Sequence, residues 1–403
     1  MPRRSEYAYH WLLDPDITFL NHGSFGATPA RVLDAQTELR LRLEAEPVRF
    51  MVRELEGLLD EARRGLAEFV GARPENLAFV PNATAGVNAV LRSLPLRPGD
   101  EILTTTQEYN ACRNVVDFVC ASSGARAVVA ELPFPVGSAD RITATLLERV
   151  TERTRVVLLD HVTSQTALVF PLEAIAPELA RRGIDLLVDG AHAPGMVPLD
   201  LERLGASWYT ANCHKWICAP KGSAFLWARR DRQEQIRPVA ISHGANSPRT
   251  DRSRFLIEFD WTGTFDPTAW LCVPVAIRFV GSILEGGWPE LMRRNHELAL
   301  EGRDLLCSAL GIAPPAPDDL LGSMASVPLP DGLSTSAPAL YGDPLQDALF
   351  ERFSIEVPVV PWPAPPKRLL RISAQIYDSA AEYAYLGEAL RTLLAEESVI
   401  VDR

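Results

Sequence analysis

The 403-residue chain is predicted to adopt an α/β fold, in which helices cover a sheet of parallel strands. Two observations predict this fold. Short β-rich runs alternate with helical stretches between residues 77 and 226, and several runs are almost entirely apolar. Such runs are typical of parallel strands that are buried on both faces. In order along the chain, the runs span residues 77–80, 101–104, 127–130, 155–159, 184–188 and 224–227.

Helical patterns flank these runs on both sides. Apolar residues recur at helical spacing over residues 31–71, with a break near Pro47. Around residue 270 the pattern changes to long helices, interrupted by proline-rich stretches near 314–317 and 358–366. We therefore predict two domains. Residues 18–270 form the large one, and residues 1–17 together with 271–403 form the small one.

Composition disfavours several classes of partner. With 47% hydrophobic and 23% charged residues, the chain can build a buried core. Its net charge of −12 disfavours nucleic acid and anionic membranes as partners. It contains no apolar run of transmembrane length, no signal-peptide pattern and no C-x-x-C pair. These features predict a cytoplasmic protein with free thiols.

The common signatures of catalysis and nucleotide binding are missing from the sequence. It contains no G-x-G-x-x-G, no Walker A motif, no H-E-x-x-H and no G-x-S-x-G. The histidines show no metal-ligand spacing, so we expect no metal site. Dinucleotide, P-loop, zinc-hydrolase and α/β-hydrolase chemistry all lose support.

Asp189 directly follows the apolar run at 184–188, in the segment V-D-G-A-H-A-P-G. Ligands of parallel α/β sheets bind beyond the carboxyl ends of the strands. A carboxylate buried at such an end is costly unless it meets a cation. An isolated Asp-Gly pair is more often a turn or a helix cap, so Asp189 alone does not define a site.

Lys215 lies in the segment C-H-K-W-I-C-A-P-K-G, shortly before the run at 224–227. Only three lysines are present, so an amine-dependent reaction has few side chains to choose from: Lys215, Lys221 and Lys367. A lysine in such a place can have a lowered pKa and attack an aldehyde. A single lysine is nevertheless more often simply solvated.

Taken together, the two segments predict a site for pyridoxal 5'-phosphate. A lysine would hold the aldehyde of this cofactor, and an aspartate would keep its pyridine nitrogen protonated. The charged ring then withdraws electrons from the substrate.

The paired segments also resemble those of a known family. The chain is similar to the fold-type I pyridoxal-phosphate enzymes of aminotransferase class V, in the isopenicillin N epimerase-like branch. The resemblance runs from L-N-H-G-S-F-G at 20–26 to R-I-S-A-Q-I-Y at 371–377. It implies a large domain with a mainly parallel seven-stranded sheet flanked by helices, and a smaller α+β C-terminal domain.

The resemblance implies roles around the cofactor ring. Lys215 would be the Schiff-base lysine, with Lys221 as its competitor, and Asp189 would pair with the pyridine nitrogen. Tyr109 would stack on the ring, although it could also be an ordinary strand-end tyrosine. His192 would contact the ring hydroxyl or orient Asp189. Ser164 would face the ring hydroxyl.

The phosphate group would lie at a helix N-terminus. The segment N-A-T-A-G at 82–86 follows the first apolar run and opens a helical stretch, where backbone amides can bind an anion. A plain helix cap is the alternative. The residues expected at the phosphate are Asn82, Ala83 and Thr84 and, by the resemblance, Asn212 and His214. The resemblance also implies that Thr264 reaches the site of a neighbouring subunit, and hence a homodimer with shared active sites.

Arg371 is the residue expected to bind the carboxylate of a small amino-acid substrate. A guanidinium group forms two parallel hydrogen bonds and so fixes the plane of its ligand. The position of Arg371 in L-R-I-S-A-Q-I-Y distinguishes it from the many other arginines. The substrate side of the pocket is expected to include Asn21, His22 and Gly23.

The shared motifs do not choose among the bonds that can break at Cα, because geometry at the ring decides this. We expect an epimerase or racemase, with Lys215 as the base on one face. Tyr109 or a nearby histidine would supply the proton on the other face. One alternative is a lyase that breaks the C–S bond of a cysteine conjugate. Another is a non-catalytic relative that only binds the cofactor or an amino acid.

Cysteine desulfurases of this class carry a catalytic cysteine shortly before the carboxylate-binding arginine. Here residues 357–368 contain no cysteine, and none follows Cys307. A persulfide-forming desulfurase is therefore not expected.

Overall fold

The computed structural model describes residues 2–332 and 342–401. The strands are β1 (Thr18–Phe19), β2 (Leu77–Val80), β3 (Glu101–Thr105), β4 (Arg126–Ala130), β5 (Thr154–Asp160), β6 (Asp185–Asp189), β7 (Trp208–Asn212), β8 (Ala224–Ala228), β9 (Met324–Leu329), β10 (Ile355–Glu356), β11 (Val359–Pro361) and β12 (Arg368–Ser373). The α-helices are α1 (His22–Phe25), α2 (Ala30–Ala45), α3 (Leu55–Val70), α4 (Ala83–Leu91), α5 (Asn110–Ser123), α6 (Ala139–Leu147), α7 (Leu172–Arg181), α8 (Leu201–Leu204), α9 (Arg254–Phe259), α10 (Thr268–Leu271), α11 (Val273–Gly281), α12 (Gly287–Leu310), α13 (Pro344–Phe353) and α14 (Ala380–Val401).

A seven-stranded sheet forms the centre of the molecule, in the order β2-β8-β7-β6-β5-β3-β4. The strands from β7 to β4 pair in parallel, whereas β8 runs antiparallel to both β2 and β7. The predicted mainly parallel sheet is therefore confirmed. Strand β7 was not among the predicted runs, because Thr210 and Asn212 interrupt its apolar pattern, yet all five of its residues are buried.

The predicted helical segment at 31–71 consists of α2 and α3, separated by a π-helical turn at Arg49–Glu54. Helix α3 buries Leu55, Leu59 and Leu66, which share one face because they recur at helical spacing. Each buried leucine contributes roughly 1.5–3 kcal/mol to stability. The helix ends where Gly71 adopts a left-handed conformation, with φ of 62°.

The smaller C-terminal domain contains the antiparallel sheet β11-β12-β9, against which helix α12 packs. Near the start of the chain, β1 pairs in parallel with β10, with Thr18 opposite Ile355. The residues just before helix α1 therefore pack against the C-terminal part of the protein. The exact domain boundaries stay a prediction.

The carboxyl ends of β5, β6 and β7 lie side by side, and this edge positions the residues discussed below. Within the part of the chain that the structure describes, no helix is both long and apolar enough to cross a membrane.

Candidate active site

Asp189 is the last residue of β6 and is almost fully buried. Its Oδ1 accepts a hydrogen bond from the Ala191 amide at 2.9 Å, and its Oδ2 accepts one from the Cys112 thiol at 3.1 Å. Burial raises the pKa of Asp189, while these two donors and Lys215 act in the opposite direction. The carboxylate is thus held in place by donors on both oxygens.

Two further acids share this buried place with Asp189. Asp160 ends β5 and is the register partner of Asp189, and Glu108 follows β3. The polar atoms of Glu108, Cys112 and Asp189 all lie within 4.8 Å of one another. Two unit charges at that separation repel by roughly 3 kcal/mol at an effective dielectric constant of about 20. Burial, followed by the charge of Asp189, raises the pKa of Glu108 to about 8.

Lys215 lies in the loop between β7 and β8, where the chain reverses direction. Helix α1 ends against this loop at Gly26, which has φ of 70°. A Cβ atom added there would lie 2.0 Å from the His214 carbonyl oxygen, so only glycine permits this approach.

The Lys215 Nζ atom lies 3.0 Å from Nε2 of His192. On the other side of that ring, Trp216 donates its indole N–H to Nδ1 at 3.5 Å. Burial lowers the pKa of His192 well below its ordinary value, with Lys215 and Arg371 acting in the same direction. Burial also lowers the pKa of Lys215 to about 7. Near neutral pH, a neutral His192 imidazole and a partly deprotonated Lys215 amine therefore face each other.

His22 connects three distant parts of the chain behind this lysine. Its Nδ1 lies 2.8 Å from the Tyr377 hydroxyl, and its Nε2 lies 3.0 Å from the Lys215 carbonyl oxygen. Because a carbonyl only accepts, the ring proton is on Nε2 and the tyrosine donates to Nδ1. Burial lowers the pKa of His22 to about 3, so the ring is neutral.

The N-terminus of helix α4 lies beside the end of β7. Asn82 caps the helix by accepting from the Ala85 amide at 2.8 Å, and Asn212 accepts from the Ala83 amide at 2.9 Å. This close approach depends on Gly86, because a Cβ there would lie 2.0 Å from Thr210 Oγ1. The helix start is therefore tied directly to the strand that leads to Lys215.

Two other predicted phosphate residues lie in the same region. The Thr84 carbonyl accepts from the Asn88 side chain at 3.0 Å, and the residue is half-buried. His214 Nδ1 lies 2.9 Å from the Ser223 carbonyl across the β7–β8 loop. The contacts of both residues with phosphate stay a prediction.

Arg371, on β12, is oriented by neutral oxygen atoms. It donates to the Ser164 carbonyl at 2.7 Å, to Ser24 Oγ at 2.9 Å and to Asn21 Oδ1 at 3.4 Å. Asn21 in turn donates to Glu356 Oε1 at 3.0 Å. The structure thus brings together Arg371, Ser164 and Asn21, which sequence reasoning had named separately.

The surroundings of three further predicted site residues are as follows. Gly23 donates its amide to Ser373 Oγ at 2.9 Å, and a Cβ there would lie 2.5 Å from the Met324 sulfur. Tyr109 precedes helix α5 and is 39% exposed. Thr264 is exposed on this chain. Its proposed reach into a neighbouring subunit stays a prediction.

Sequence reasoning missed Glu108, Cys112 and Asp160. The signal for Asp160 was present, because V-V-L-L-D-H at 156–161 repeats the pattern of an apolar run ended by a carboxylate. Glu108 and Cys112 carry no comparable local signal. Only the packing of α5 against the sheet shows that they are buried.

The residues present fit pyridoxal phosphate. A lysine amine, a buried carboxylate and a helix N-terminus lie around one edge of the sheet. Buried oxygens of Glu108 and Asp160 have no hydrogen-bond partner among the described residues, as expected beside a site for a cationic ring. Fold and site together define a pyridoxal-phosphate-dependent enzyme of fold type I.

The chain belongs to the aminotransferase class-V family, whose model matches residues 19–324. It is 38% identical over 395 residues to isopenicillin N epimerase of Amycolatopsis lactamdurans, covering 94% of this chain and 96% of that protein. It is 31% identical over 419 residues to a probable L-cysteine desulfhydrase of Arabidopsis thaliana, covering 97% and 85%. A solved C-DES mutant with glycine covalently linked to its pyridoxal-phosphate cofactor has the same fold. Its TM-score is 0.76 at 23% identity, covering 94% of this chain and 97% of that one.

Proposed function

We propose that this enzyme moves the proton on the α-carbon of an amino-acid substrate and is an epimerase or racemase of the isopenicillin N epimerase type. The observation that carries the proposal is the contact between Lys215 Nζ and His192 Nε2. In this contact the lysine amine is able to accept a proton. Relatives named isopenicillin N epimerase, at 38% and 35% identity, support the same direction.

Lys215 would act as the base on one face of the substrate. Because burial lowers its pKa to about 7, a large fraction of the amine carries no proton at neutral pH. The Trp216 N–H directs the single ring proton of His192 to Nε2, and that proton points at the lone pair of Nζ. His192 would thereby hold the amine in its proton-accepting form.

Arg371 would hold the substrate carboxylate. Pyridoxal phosphate, when bound, withdraws electrons from the bonds at Cα. The orientation of the substrate then decides which of these bonds reacts, and a guanidinium fork sets that orientation. Ser164 and Ser24 fix the guanidinium plane before substrate arrives.

Inversion also requires a proton on the opposite face, and we assign this step to Tyr109. The residue directly precedes α5, follows the buried Glu108 in sequence and is 39% exposed, which gives it access to solvent. The cofactor would be held by residues around the carboxyl edge of the sheet and the start of α4: Asp189, His192, Asn82, Ala83, Thr84, Asn212 and His214.

Proton NMR in deuterated buffer, with a panel of L-amino acids and cysteine conjugates, tests this assignment. We expect loss of the α-proton signal, with chiral analysis showing inversion. Tyr109→Phe should keep the exchange and lose the inversion, whereas the control Tyr9→Phe, at a residue 76% exposed, should keep both. Unchanged inversion in Tyr109→Phe would remove Tyr109 from the scheme. Absence of exchange with every substrate would remove the epimerase assignment.

A C–S lyase is the second candidate, because relatives named L-cysteine desulfhydrase match almost the whole chain. The same amine would remove the α-proton, and a sulfur leaving group would then depart from Cβ. Pyruvate, ammonia and a released thiol in the NMR experiment would identify this activity. A persulfide-forming mechanism is disfavoured, because five of the six cysteines are buried and Cys120 is half-buried on helix α5.

We also propose a homodimer in a cytoplasmic setting. Exposed apolar side chains support the dimer, among them Phe25 at 59% and Val52 at 75% exposure. Analytical ultracentrifugation tests it, and sedimentation as a monomer at micromolar concentration would contradict it.

A further inference from the structure

Three carboxyl groups are buried together at the carboxyl edge of the central sheet. Glu108, Asp160 and Asp189 are 6%, 3% and 2% exposed. The register of β5 and β6 places the two aspartates side by side, and polar atoms of Glu108, Cys112 and Asp189 lie within 4.8 Å of one another. Burial of three negative charges so close together would be strongly unfavourable, so the cluster must hold protons.

The three acids differ in how their oxygens are hydrogen-bonded. Both oxygens of Asp189 accept hydrogen bonds, one from the Cys112 thiol and one from the Ala191 amide. Glu108 accepts from Thr104 Oγ1 at 3.1 Å and from the Tyr109 amide, and Asp160 accepts from its own amide, but Glu108 Oε1 and Asp160 Oδ2 have no partner among the described residues. Donors favour the ionised form of a carboxyl group, so the charge belongs on Asp189.

We propose that Glu108 and Asp160 each carry a proton at neutral pH, so that three buried acids hold one negative charge, located on Asp189. This single charge would match the single positive charge of a protonated pyridine ring. Glu108 and Asp160 would therefore be positioning residues, which keep Asp189 ionised without touching the substrate. The proposal rests on the placement of Asp189 against the ring in the proposed function.

The surroundings of Glu108 are consistent with this distribution of charge. Burial raises the pKa of Glu108 to about 8, and the pKa of Asp160 also lies well above its ordinary value because of burial. The charged and titratable groups that act on the cluster come from four places: Arg113 and Cys112 on α5, Asp189 on β6, Asp160 on β5 and Lys215 in the β7–β8 loop.

The cofactor-free protein gives a test that does not depend on the reaction. The folded pKa of Glu108, about 8, exceeds its ordinary value of 4.5. The stability that this residue contributes is therefore complete below pH 4.5 and is lost as pH rises through 8. Glu108→Gln imitates the protonated acid and cannot ionise. Its melting temperature, relative to that of the unmodified protein, should thus rise by several degrees between pH 5 and pH 9.

Glu131→Gln is the matched control, because Glu131 is exposed and the chemical change is the same. Its melting temperature relative to the unmodified protein should not depend on pH in this range. A difference for Glu108→Gln that is equally independent of pH would overturn the proposal.

Cofactor affinity provides the second measurement. At pH 7, Glu108→Gln should bind pyridoxal phosphate within about tenfold of the unmodified protein, because a neutral group replaces a neutral group. Asp189→Asn removes the charge and should weaken binding on the order of 100-fold or more. Equal losses in the two variants would show that Glu108 is ionised and would refute the proposal.

Infrared spectroscopy of the unmodified protein keeps the proposal testable if Glu108→Gln fails to fold. A buried protonated carboxyl group should give a carbonyl band at pH 6 that weakens by pH 9. Its absence at pH 6 would count against the proposal. If the enzyme proves to be a lyase, these three measurements are unaffected, so the failure of the two proposals can be told apart.

Discussion

The pKa values on the two sides of the candidate site are shifted in opposite directions. We call Glu108, Asp160 and Asp189 the acidic floor, and His22, His192, Lys215 and Arg371 the basic wall. Burial raises the pKa values of the floor and lowers those of the histidines and the lysine on the wall. Both shifts favour the neutral form. The comparison teaches that burial favours the neutral form on both sides, so a charge here depends on hydrogen-bond donors or on a group that cannot lose its proton.

We propose that Asp189 is the charged group of the floor, whereas Arg371 on the wall carries a guanidinium charge that burial does not remove. Asp189 accepts from a thiol and an amide, and Arg371 donates to a carbonyl and a hydroxyl. We propose that one charge serves the cofactor ring and the other the substrate carboxylate.

The two sides also differ in how the chain builds them. The floor comes from β5, β6 and the segment that joins β3 to α5, all within the central sheet region. The wall joins α1, the segment after β6, the β7–β8 loop and β12, so distant parts of the chain must meet. We expect changes in the wall to affect catalysis most strongly, and changes in the floor to act mainly on cofactor binding.

The largest effect should follow from removal of the amine of the wall. Lys215→Ala should lower kcat/KM by about 10⁴-fold or more, because the base and the covalent attachment of the cofactor are lost together. Borohydride reduction followed by peptide mass spectrometry should locate the cofactor on Lys215. Lys221→Ala, in the same loop, is the control. Cofactor attached to Lys221 would reverse the assignment of the two lysines.

A smaller loss should follow from a change in the charge that would bind substrate. Arg371→Lys keeps the charge but loses the planar fork, and kcat/KM should fall by about 100-fold, mainly through KM. Steady-state kinetics measures this, with Arg352→Lys as an exposed control. An unchanged KM would place the substrate carboxylate elsewhere.

Removal of the Tyr377 hydroxyl, which contacts His22, should have a moderate effect. Tyr377→Phe removes the donor to His22, so the ring is free to change its tautomer and release the Lys215 carbonyl. We expect about 1 kcal/mol lower stability and about tenfold lower kcat, because the lysine is less well placed.

Tyr383→Phe separates this effect from a general loss of packing. Tyr383 is also buried, and its hydroxyl donates to the Ser373 carbonyl at 2.7 Å rather than to His22. It should lose similar stability but keep kcat. Equal losses of kcat in the two variants would mean that His22 does not position Lys215.

The smallest effect should come from the floor. Cys112→Ala removes one of the two donors to Asp189, so the pKa of Asp189 should rise further and the cofactor should bind a few-fold less tightly. A fluorescence titration of the cofactor-free protein measures this, with Cys120→Ala on the same helix as control. Tighter binding in Cys112→Ala would mean that the thiol competes with the ring for Asp189.

Much of the fold and part of the site could be predicted from local patterns. Apolar runs predicted six strands of the sheet, and the segments around Asp189 and Lys215 predicted the cofactor. His22 shows where such reasoning ended. It was expected at the substrate, yet it is fully buried and both ring nitrogens contact protein atoms. We therefore propose that it positions Lys215 instead.

The sequence by itself determined the class of fold, the family and the cofactor, because these depend on short segments whose residues are neighbours along the chain. Only the tertiary structure decided which residues set the charges of the site. Tyr377 and His22 are 355 residues apart, and Cys112 and Asp189 are 77 apart. Burial and hydrogen bonds between such residues exist only once the chain has folded, and they determine which buried groups remain charged.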